Sequence, residues 1–375
     1  MNTHTGPLQG LKILEFAGIG PAPFCGRIFS DLGADVLRID RPGGYEYDRF
    51  SVDTRGRRSV ILNLKDPKAT AVALCLIEKA DTLIEGFRPG VMERLGLGPD
   101  IALERNPQLI YGRMTGFGQV GPLARAPGHD VNYVALSGAL HALGSKEKPT
   151  VPLNLIGDLG GGALWLAFGI LAALRHVEQG GEGQVIDCAM TDGVASTMGA
   201  IYGEHAAGRW KDERESNIID GGAHFYNTYE CADGKWIAIG SIEKPFYAAL
   251  LEQLDIDGPE FEDQMNQDKW PELKERLERI FRTRTRDAWC DRFNGTEVCY
   301  APILSLVEAP DHPHNRMRET FVEVDGVIQP SPLPQFSRTK GKIQHGARPA
   351  GEDGVEPLRD WGIDEATIEA LQDSA

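Results

Sequence analysis

The sequence lacks an excess of positive charge, a cysteine framework and, in its first residues, the pattern that predicts a secretory leader. Its 375 residues include 39 Lys and Arg against 55 Asp and Glu, which gives a formal net charge of −16. A nucleic acid or an anionic membrane is therefore not expected as the main partner, because binding phosphates needs a basic face. The six cysteines form no C-x-x-C pair, and no basic segment followed by an apolar one opens the chain. Both absences favour a reduced, cytoplasmic setting.

Long apolar runs and metal-binding patterns are also scarce. The most apolar window extends from about Leu164 to Leu174 and follows three glycines. It is shorter than the roughly 20 residues that a bilayer span needs, so it predicts a buried helix and no membrane span. His312 and His314 are only two ligands in a Pro-containing loop, and no metal site is expected.

Six short β-branched runs alternate with helical patterns in the first half of the chain. They read "LKILEFA", "ADVLRID", "SVILNL", "DTLIEGF", "QLIYGRM" and "QVIDCAM". Alternation of this kind predicts an α/β fold with right-handed βαβ units, in which a Rossmann-like parallel sheet is flanked by helices. Asp66 followed by Pro67 predicts the start of one of these helices.

The pattern changes after about Gly203. Two hairpin signals appear, at Asp233-Gly234 and at Asp325-Gly326, with polar helical segments between them. This α+β character predicts a second, smaller domain, which the length of the chain also favours. We place the large domain at 1–200 and 325–375, the small domain at 225–320, and linkers at 201–224 and 321–330.

The segment "GIGPAP" from Gly18 to Pro23 follows the first predicted strand, as a dinucleotide-binding loop would. The G-x-G-x-x-G pattern requires a third glycine where this chain has Pro23. Nicotinamide chemistry is therefore not expected.

Basic residues gather near the predicted strand ends in spite of the acidic composition. They are Arg38, Arg55, Arg57, Arg58, Lys65, Arg88 and Arg94. Guanidinium groups at the carboxyl edge of a parallel sheet could bind a multiply phosphorylated ligand through bidentate contacts. Any one of these residues could be an ordinary charged residue on the solvated surface. Their occurrence as a set favours an anion-binding site.

Two polar residues stand at predicted helix starts. His129 lies in "PGHDVNY", where it could be a bystander beside a capping Asp130, and Asp158 in "LIGDLGGG" could be an N-cap. Glycines in a first helical turn lower helix stability by up to about 1 kcal/mol each, so a ligand is a possible reason for Gly160 and Gly161. Their free N–H groups could stabilise an oxyanion at the helix N-terminus.

Several long motifs occur in an order that resembles the family III CoA-transferases. They are "PLQGLKILEFAGIGPAPFCGRIFSDLGADVLRIDRPGG", "IEGFRPGVMERLGLG", "RMTGFGQVGPLARAPGHDVNYVALSG", "PLNLIGDLGGG" and "YNTYECADGKWIAIGSIEKPFY". The resemblance implies a thioester enzyme that uses no metal or redox cofactor, with coenzyme A as part of the substrate. It also implies an interlocked homodimer whose active sites lie at the subunit interface.

The resemblance further assigns residues by position. His129 and Asp158 match two acid/bases, and Glu243 matches the acid that pairs with the histidine. The positions matching coenzyme A contacts are Arg38, Leu62, Asn63, Leu64, Lys65, Gly86, Phe87, Arg88, Arg94, Gly128, Asp130, Val131, Asn132 and Tyr133. At Leu62 and Asn63 the chain departs from the family pattern, so backbone contacts are expected there. Tyr226, with its neighbour Phe225, is a candidate for the wall of the acyl site.

These residue types suit inversion of a carbon next to a thioester. One group must remove the α-proton on one face and another must return a proton on the opposite face, through an enolate. Histidine and aspartate ordinarily titrate near pH 6.5 and 3.9. We therefore expect partial burial to raise the pKa of Asp158, and Glu243 to hold His129. The resemblance implies a reaction that interconverts (2R)- and (2S)-2-methylacyl-CoA thioesters, and it does not specify the length or branching of the acyl chain.

Two other functions remain as alternatives. A CoA-transferase of the same fold would use Asp158 as a nucleophile that forms an anhydride and then a CoA thioester. It would need no histidine base, so His129 together with Glu243 favours proton transfer. A non-catalytic acyl-CoA-binding protein is the other alternative, and three catalytic-type residues argue against it.

Overall fold

The computed structural model describes residues 5–372, and the chain divides into two compact units. The large unit contains the chain up to Ser137, Pro152–Thr197 and the chain from Arg318 onward. The small unit contains Gly138–Val151 and Met198–Met317. It therefore includes Gly138–Val151, a segment that the sequence analysis placed in the large domain.

A six-stranded parallel sheet forms the centre of the large unit, as the alternating pattern predicts. Its strands are β1 (Lys12–Phe16), β2 (Asp35–Asp40), β3 (Arg58–Ile61), β4 (Thr82–Glu85), β5 (Ile110–Thr115) and β6 (Gln184–Ala189). Their spatial order is β3-β2-β1-β4-β5-β6, and each neighbouring pair is parallel. This is the doubly wound order in which ligands bind outside the carboxyl ends of the strands.

The α-helices of the described chain have the following bounds. They are α1 (Pro21–Asp31), α2 (Pro67–Ile77), α3 (Val91–Arg94), α4 (Pro99–Arg105), α5 (Asp130–Leu136), α6 (Ala139–Ala142), α7 (Leu164–Glu178), α8 (Met190–Thr197), α9 (Gly199–Ala206), α10 (Lys244–Gln253), α11 (Trp270–Phe281), α12 (Arg286–Phe293), α13 (Pro313–Met317), α14 (Glu356–Asp360) and α15 (Glu365–Gln372). Short 3-10 turns lie at Val52–Thr54, Pro259–Phe261, Gln267–Lys269 and Ala309–Asp311. A π-helical segment, Leu155–Ala163, leads directly into α7.

Helices cover both faces of the central strands of the parallel sheet, so apolar side chains of one strand pack on both sides. In β1, Leu14 and Phe16 belong to one core cluster and Ile13 to another. The first cluster includes Trp361 and Ile368 from the C-terminal part of the chain. At α2, Asp66 accepts a hydrogen bond from the backbone N–H of Lys68, which confirms the predicted helix start.

The helical stretch Leu155–Glu178 is longer than the sequence predicts. It has 24 residues, and an 18-residue window within it has a mean hydropathy of 1.7, which by length and composition is enough to cross a membrane. The expectation that the apolar window is too short was therefore wrong. Leu166 and Ile170 on its buried side join the core beneath the sheet, as in a core helix of a globular domain.

The small unit has an antiparallel sheet of β7 (Tyr226–Glu230), β8 (Trp236–Gly240) and β9 (Tyr300–Ile303). Its core is aromatic and includes Phe225, Phe281 and Trp289. In the large unit, β10 (Phe321–Val324) and β11 (Val327–Pro330) form a second hairpin. Asp325 and Gly326 both have positive φ there, as a two-residue hairpin turn requires.

Candidate active site

A cavity of about 640 Å³ opens in the large unit at the carboxyl ends of the parallel strands. Its lining comes from the loops after β1, β4 and β5 and from the segments around α5 and the π-helical segment. These residues are Ile19, Gly20, Pro21, Ala22, Gly86, Phe87, Arg88, Pro89, Met114, Thr115, Gly116, Phe117, Ala124, Ala126, Pro127, Gly128, His129, Asn132, Tyr133, Asn154, Asp158 and Met190. The two acid/bases predicted for the large unit thus share one cavity.

His129 lines this cavity as the N-cap residue of α5. Its side chain is exposed, and its backbone N–H donates to Oδ1 of Asn132 at 3.0 Å. Asp130 is the first residue inside the helix. The suggestion that Asp130 caps this helix is therefore wrong, and its carboxylate is directed elsewhere.

Asp158 lies inside the π-helical segment and not at a helix N-cap, which corrects the alternative considered from the sequence. Its backbone N–H donates to Oδ1 of Asp130 at 2.6 Å, and Nδ2 of Asn154 lies 3.5 Å from its Oδ2. Partial burial raises its pKa, and the nearby charge of Asp130 raises it further, against smaller lowering effects from Asn154 and His129. The predicted direction of this pKa shift is confirmed.

The glycines after Asp158 have a packing role that the sequence analysis missed. Gly160 and Gly161 lie within the π-helical segment, where each N–H is directed to the carbonyl five residues earlier. A Cβ at Gly161 would lie 2.5 Å from Cγ2 of Val194 on α8, and neither glycine lines the cavity. The expectation that they present free N–H groups to a ligand is wrong, because those groups bond within the π-helical segment, and at Gly161 the missing side chain also makes room for α8.

Gly20 is a site residue that sequence reasoning missed. It has φ +70°, and a Cβ at this position would lie 3.0 Å from Oδ2 of Asp158. Any side chain there would therefore press on the carboxylate. The signal was present in "GIGPAP", which was considered only as a dinucleotide motif.

The loop after β4 carries three of the predicted coenzyme A residues, Gly86, Phe87 and Arg88, and all three line the cavity. The buried carboxylate of Glu85 accepts the backbone N–H of Phe87 at 2.7 Å and so holds the loop. Burial raises the pKa of Glu85 to about 7, although that N–H and Arg113 act in the opposite direction.

The arginines near the first strands do not form a free anion site. Arg55 pairs with Asp31 at 2.6 Å, Arg57 is bonded to Glu15, and Arg58 pairs with Asp35 at 3.0 Å. Their guanidinium groups are committed to carboxylates of the large unit, which overturns the phosphate-binding interpretation for these three.

Arg38 is committed in the same way. Its Nε donates to Oδ2 of Asp40 at 2.7 Å, its side chain is 2% exposed, and its guanidinium lies over the ring of Tyr47. A contact between Arg38 and coenzyme A stays a prediction.

A second cavity of the large unit, about 570 Å³, collects other predicted coenzyme A residues. Leu64, Lys65 and Arg94 line it together with apolar side chains of α2. Leu62 is buried, and the exposed Asn63 accepts the backbone N–H of Lys65. Val131 is half-buried on α5 and lines neither cavity.

Glu243 and Tyr226 lie in the small unit. Glu243 is the N-cap residue of α10, and the buried side chain of Gln264 donates to the two preceding carbonyls, at 3.1 and 2.8 Å. Tyr226 lines a cavity of about 750 Å³ on the antiparallel sheet. Phe225 is fully buried in the aromatic core, so the suggestion that it forms an acyl wall is wrong.

Metal ligands are not clustered in the described chain. Within residues 5–372, no three His, Cys, Asp or Glu side chains are grouped so that they could hold a metal ion.

Comparison with known proteins decides the family. The description "CoA-transferase family III" matches residues 8–354. The chain belongs to CoA-transferase family III.

Relatives of this family III protein are similar along nearly their whole length. It is 43% identical to the α-methylacyl-CoA racemase of Mus musculus, over 96% of this chain and 95% of the mouse protein. It is 41% identical to the α-methylacyl-CoA racemase of Homo sapiens, over 97% and 96% of the two chains. A CaiB/BaiF family protein from Brucella suis has the same fold, with a TM-score of 0.83, 24% identity and coverage of 95% and 100%.

Proposed function

We propose that this protein is an α-methylacyl-CoA racemase, which interconverts (2R)- and (2S)-2-methylacyl-CoA thioesters without a cofactor. The observation that carries the proposal is the placement of His129 and Asp158 on one cavity, with the pKa of Asp158 raised by burial. Inversion needs two groups of comparable proton affinity around one carbon. The similarity to two racemases supports the same reaction.

In this mechanism His129 and Asp158 exchange roles with the direction of the reaction. One of them removes the α-proton, the thioester becomes an enolate, and the other returns a proton to the opposite face. The enolate oxygen also needs hydrogen-bond donors at the cavity, and the glycines after Asp158 do not line it.

Glu243 completes the site as the carboxylate that holds the imidazole of His129. We propose that the protein is a homodimer in which this contact forms across the subunit interface. An apolar face of α7 supports the dimer, since Leu164, Trp165, Phe168 and Leu171 are 38 to 65% exposed. An apolar surface of this kind is typical of a protein–protein interface.

Deuterium exchange tests the proposed reaction. One enantiomer of a 2-methylacyl-CoA is incubated with the enzyme in deuterium oxide, without an acceptor acid. Entry of deuterium at the α-carbon, with loss of optical purity, supports racemisation. If no exchange occurs and CoA instead moves to an added carboxylic acid, the racemase proposal is wrong and Asp158 acts as the transferase nucleophile.

A further inference from the structure

A buried carboxylate, Asp130, contacts the backbone at Asp158. Its Oδ1 accepts the N–H of Asp158 at 2.6 Å, and the residue is 7% exposed. Its Oδ2 is also buried and has no hydrogen-bond partner within residues 5–372. Burying a charged oxygen without a partner is unfavourable for folding. Stability alone therefore gives little reason for a carboxylate at this position.

The carboxylate of Asp130 fits closely against bare backbone. A Cβ at Gly157 would lie 2.5 Å from Oδ1 of Asp130 and 3.1 Å from Cγ2 of Val134. Only glycine at position 157 lets Asp130 approach the turn that carries Asp158. The start of α5 thus carries His129, which is one of the two acid/bases. It also carries Asp130, whose carboxylate is bonded to the turn that holds the second acid/base, Asp158.

We propose that Asp130 is a positioning residue for proton transfer, which holds the turn carrying Asp158 and places a second negative charge beside its carboxyl group. The inference rests on the proposed racemase reaction. Asp130 acts through Asp158 and does not touch the reacting carbon.

The charge of Asp130 affects the proton affinity of the Asp158 carboxyl group. Like charges favour the protonated form of a carboxylic acid, and the pKa of Asp158 is raised first by burial and then by Asp130. Unperturbed histidine and aspartate differ by roughly two to three orders of magnitude in proton affinity. Asp130 narrows this gap, so Asp158 can return a proton as well as remove one.

The charges that act on Asp158 come mainly from α5. They are Asp130 and His129, while Tyr133 of the same helix has its pKa raised first by burial and then by Asp158, with Arg88 acting in the opposite direction. The elements packed against the π-helical segment carry other ionisable groups, which are Cys25, Arg27, Asp31, Tyr111, Arg113, Arg175, His176, Glu178, Asp187, Cys188 and Asp192. Arg27, Asp31 and Arg113 are paired with other charged residues.

The test is Asp130→Asn, an isosteric change that keeps an oxygen acceptor for the N–H and removes the charge. The Asp158 carboxyl is followed by carbon-13 NMR in protein labelled at the aspartate carboxyls, and its resonance is assigned by its loss in Asp158→Asn. We expect the Asp158 titration to move to lower pH. The acidic limb of the rate of α-deuterium exchange should move with it, while the basic limb stays in place.

A matched control is Asp187→Asn. Asp187 is also a carboxylate that accepts a backbone N–H, from Gln119 at 3.0 Å, but it is exposed and does not line the cavity. This variant should leave both the titration and the acidic limb as in the wild type. If asparagine is not accepted at position 130, Asp130→Ser offers an uncharged oxygen acceptor for the same measurement.

The outcomes separate this inference from the proposed function. If the wild type exchanges deuterium but Asp130→Asn lowers the rate equally at every pH, or leaves the Asp158 titration in place, the positioning role is wrong. If the wild type exchanges no deuterium, the racemase proposal fails and the inference falls with it, whatever the titration shows.

Discussion

The hydroxyl of Tyr133 donates to the carbonyl of Gly128 at 2.5 Å, across the turn that presents His129. The tyrosine ring packs against the backbone at Gly116 and Gly128, where a Cβ would overlap it. Burial raises the pKa of Tyr133, so its hydroxyl remains a donor through the physiological range. This contact fixes the segment before the candidate histidine base.

Replacing Tyr133 by Phe should loosen this turn. The ring packing is kept and one hydrogen bond is lost, so we expect the free energy of unfolding to fall by about 1 kcal/mol. We expect a larger effect on kcat of deuterium exchange than on KM, because His129 loses its fixed position. Urea unfolding and exchange kinetics measure the two effects. Tyr45→Phe, at an exposed tyrosine, is the control, and an unchanged kcat in Tyr133→Phe would argue against a role in positioning.

His129→Ala and Asp158→Ala should each abolish turnover and leave binding of the CoA ester largely intact. Both side chains serve proton transfer in the proposed mechanism, and loops after β4 and β5 supply much of the remaining cavity wall. Deuterium exchange and isothermal titration with a substrate thioester measure the two properties. Loss of folding in both variants would instead indicate structural roles.

Mixed dimers test the position of Glu243. His129→Ala and Glu243→Ala should each be inactive alone. If Glu243 of one subunit serves His129 of the other, a mixed dimer has one intact site. Co-expression in equal amounts should then restore about a quarter of the wild-type activity. No recovery would indicate that both residues act within the same subunit, and size-exclusion chromatography with light scattering checks that the dimers form.

Glu85 should make the large unit less stable as the pH rises. Burial raises its pKa to about 7 from the unfolded value of 4.5, so the folded state binds the proton more tightly. Its contribution to stability is present below the unfolded pKa and is lost as the pH rises through 7. Relative to Glu85→Gln, the wild type should lose at most about 3 kcal/mol between about pH 4.5 and pH 8.

Urea unfolding at several pH values measures this difference. Glu93→Gln is the matched control. Burial alone would raise the pKa of Glu93, but hydrogen bonding and the charge of Arg113 together outweigh this effect, and the pKa is lowered. The charge of Glu93 is the smallest of the effects that shift the pKa of Glu85, so removing this carboxylate should leave most of the pH dependence across the same window in place. A wild type and a Glu85→Gln variant with parallel stability profiles would contradict the prediction.

His224 should make the small unit sensitive to acid. It is fully buried among aromatic rings, its Nε2 lies 2.7 Å from the hydroxyl of Tyr247, and burial lowers its pKa to about 4. Because the folded state favours the neutral imidazole of His224, the stability that this residue contributes is fully present above its unfolded pKa of 6.5. That stability is lost as the pH falls through the folded pKa of about 4. His224→Phe should remove up to about 3 kcal/mol of this acid sensitivity.

Thermal or urea unfolding of the small unit between about pH 7 and pH 4 tests this, with tryptophan fluorescence as the probe. His312→Phe, at a loop histidine of the same unit, is the control and should keep the pH dependence of the wild type. The prediction fails if His224→Phe keeps it too.

The sequence by itself determined the parallel sheet, the start of α2 and the family. The spacing of apolar residues, the residues that favour turns and the residues that cap helices are all local properties of the sequence. Six β-branched runs separated by helical patterns could therefore be assigned to strands β1 to β6. The long motifs identified His129 and Asp158 as candidate acid/bases, because the order of motifs along the chain can be read without knowing how the chain packs.

Only the tertiary structure decided which polar groups are free. Arg55 and Arg57 look like anion ligands in the sequence, yet their partners lie 24 and 42 residues away in the chain. Gly161 lacks a side chain because α8 packs against it, and Asp130 faces Asp158 across 28 residues. Such pairings depend on long-range packing, which no local pattern encodes, and burial then sets the proton affinity of the Asp158 carboxylate.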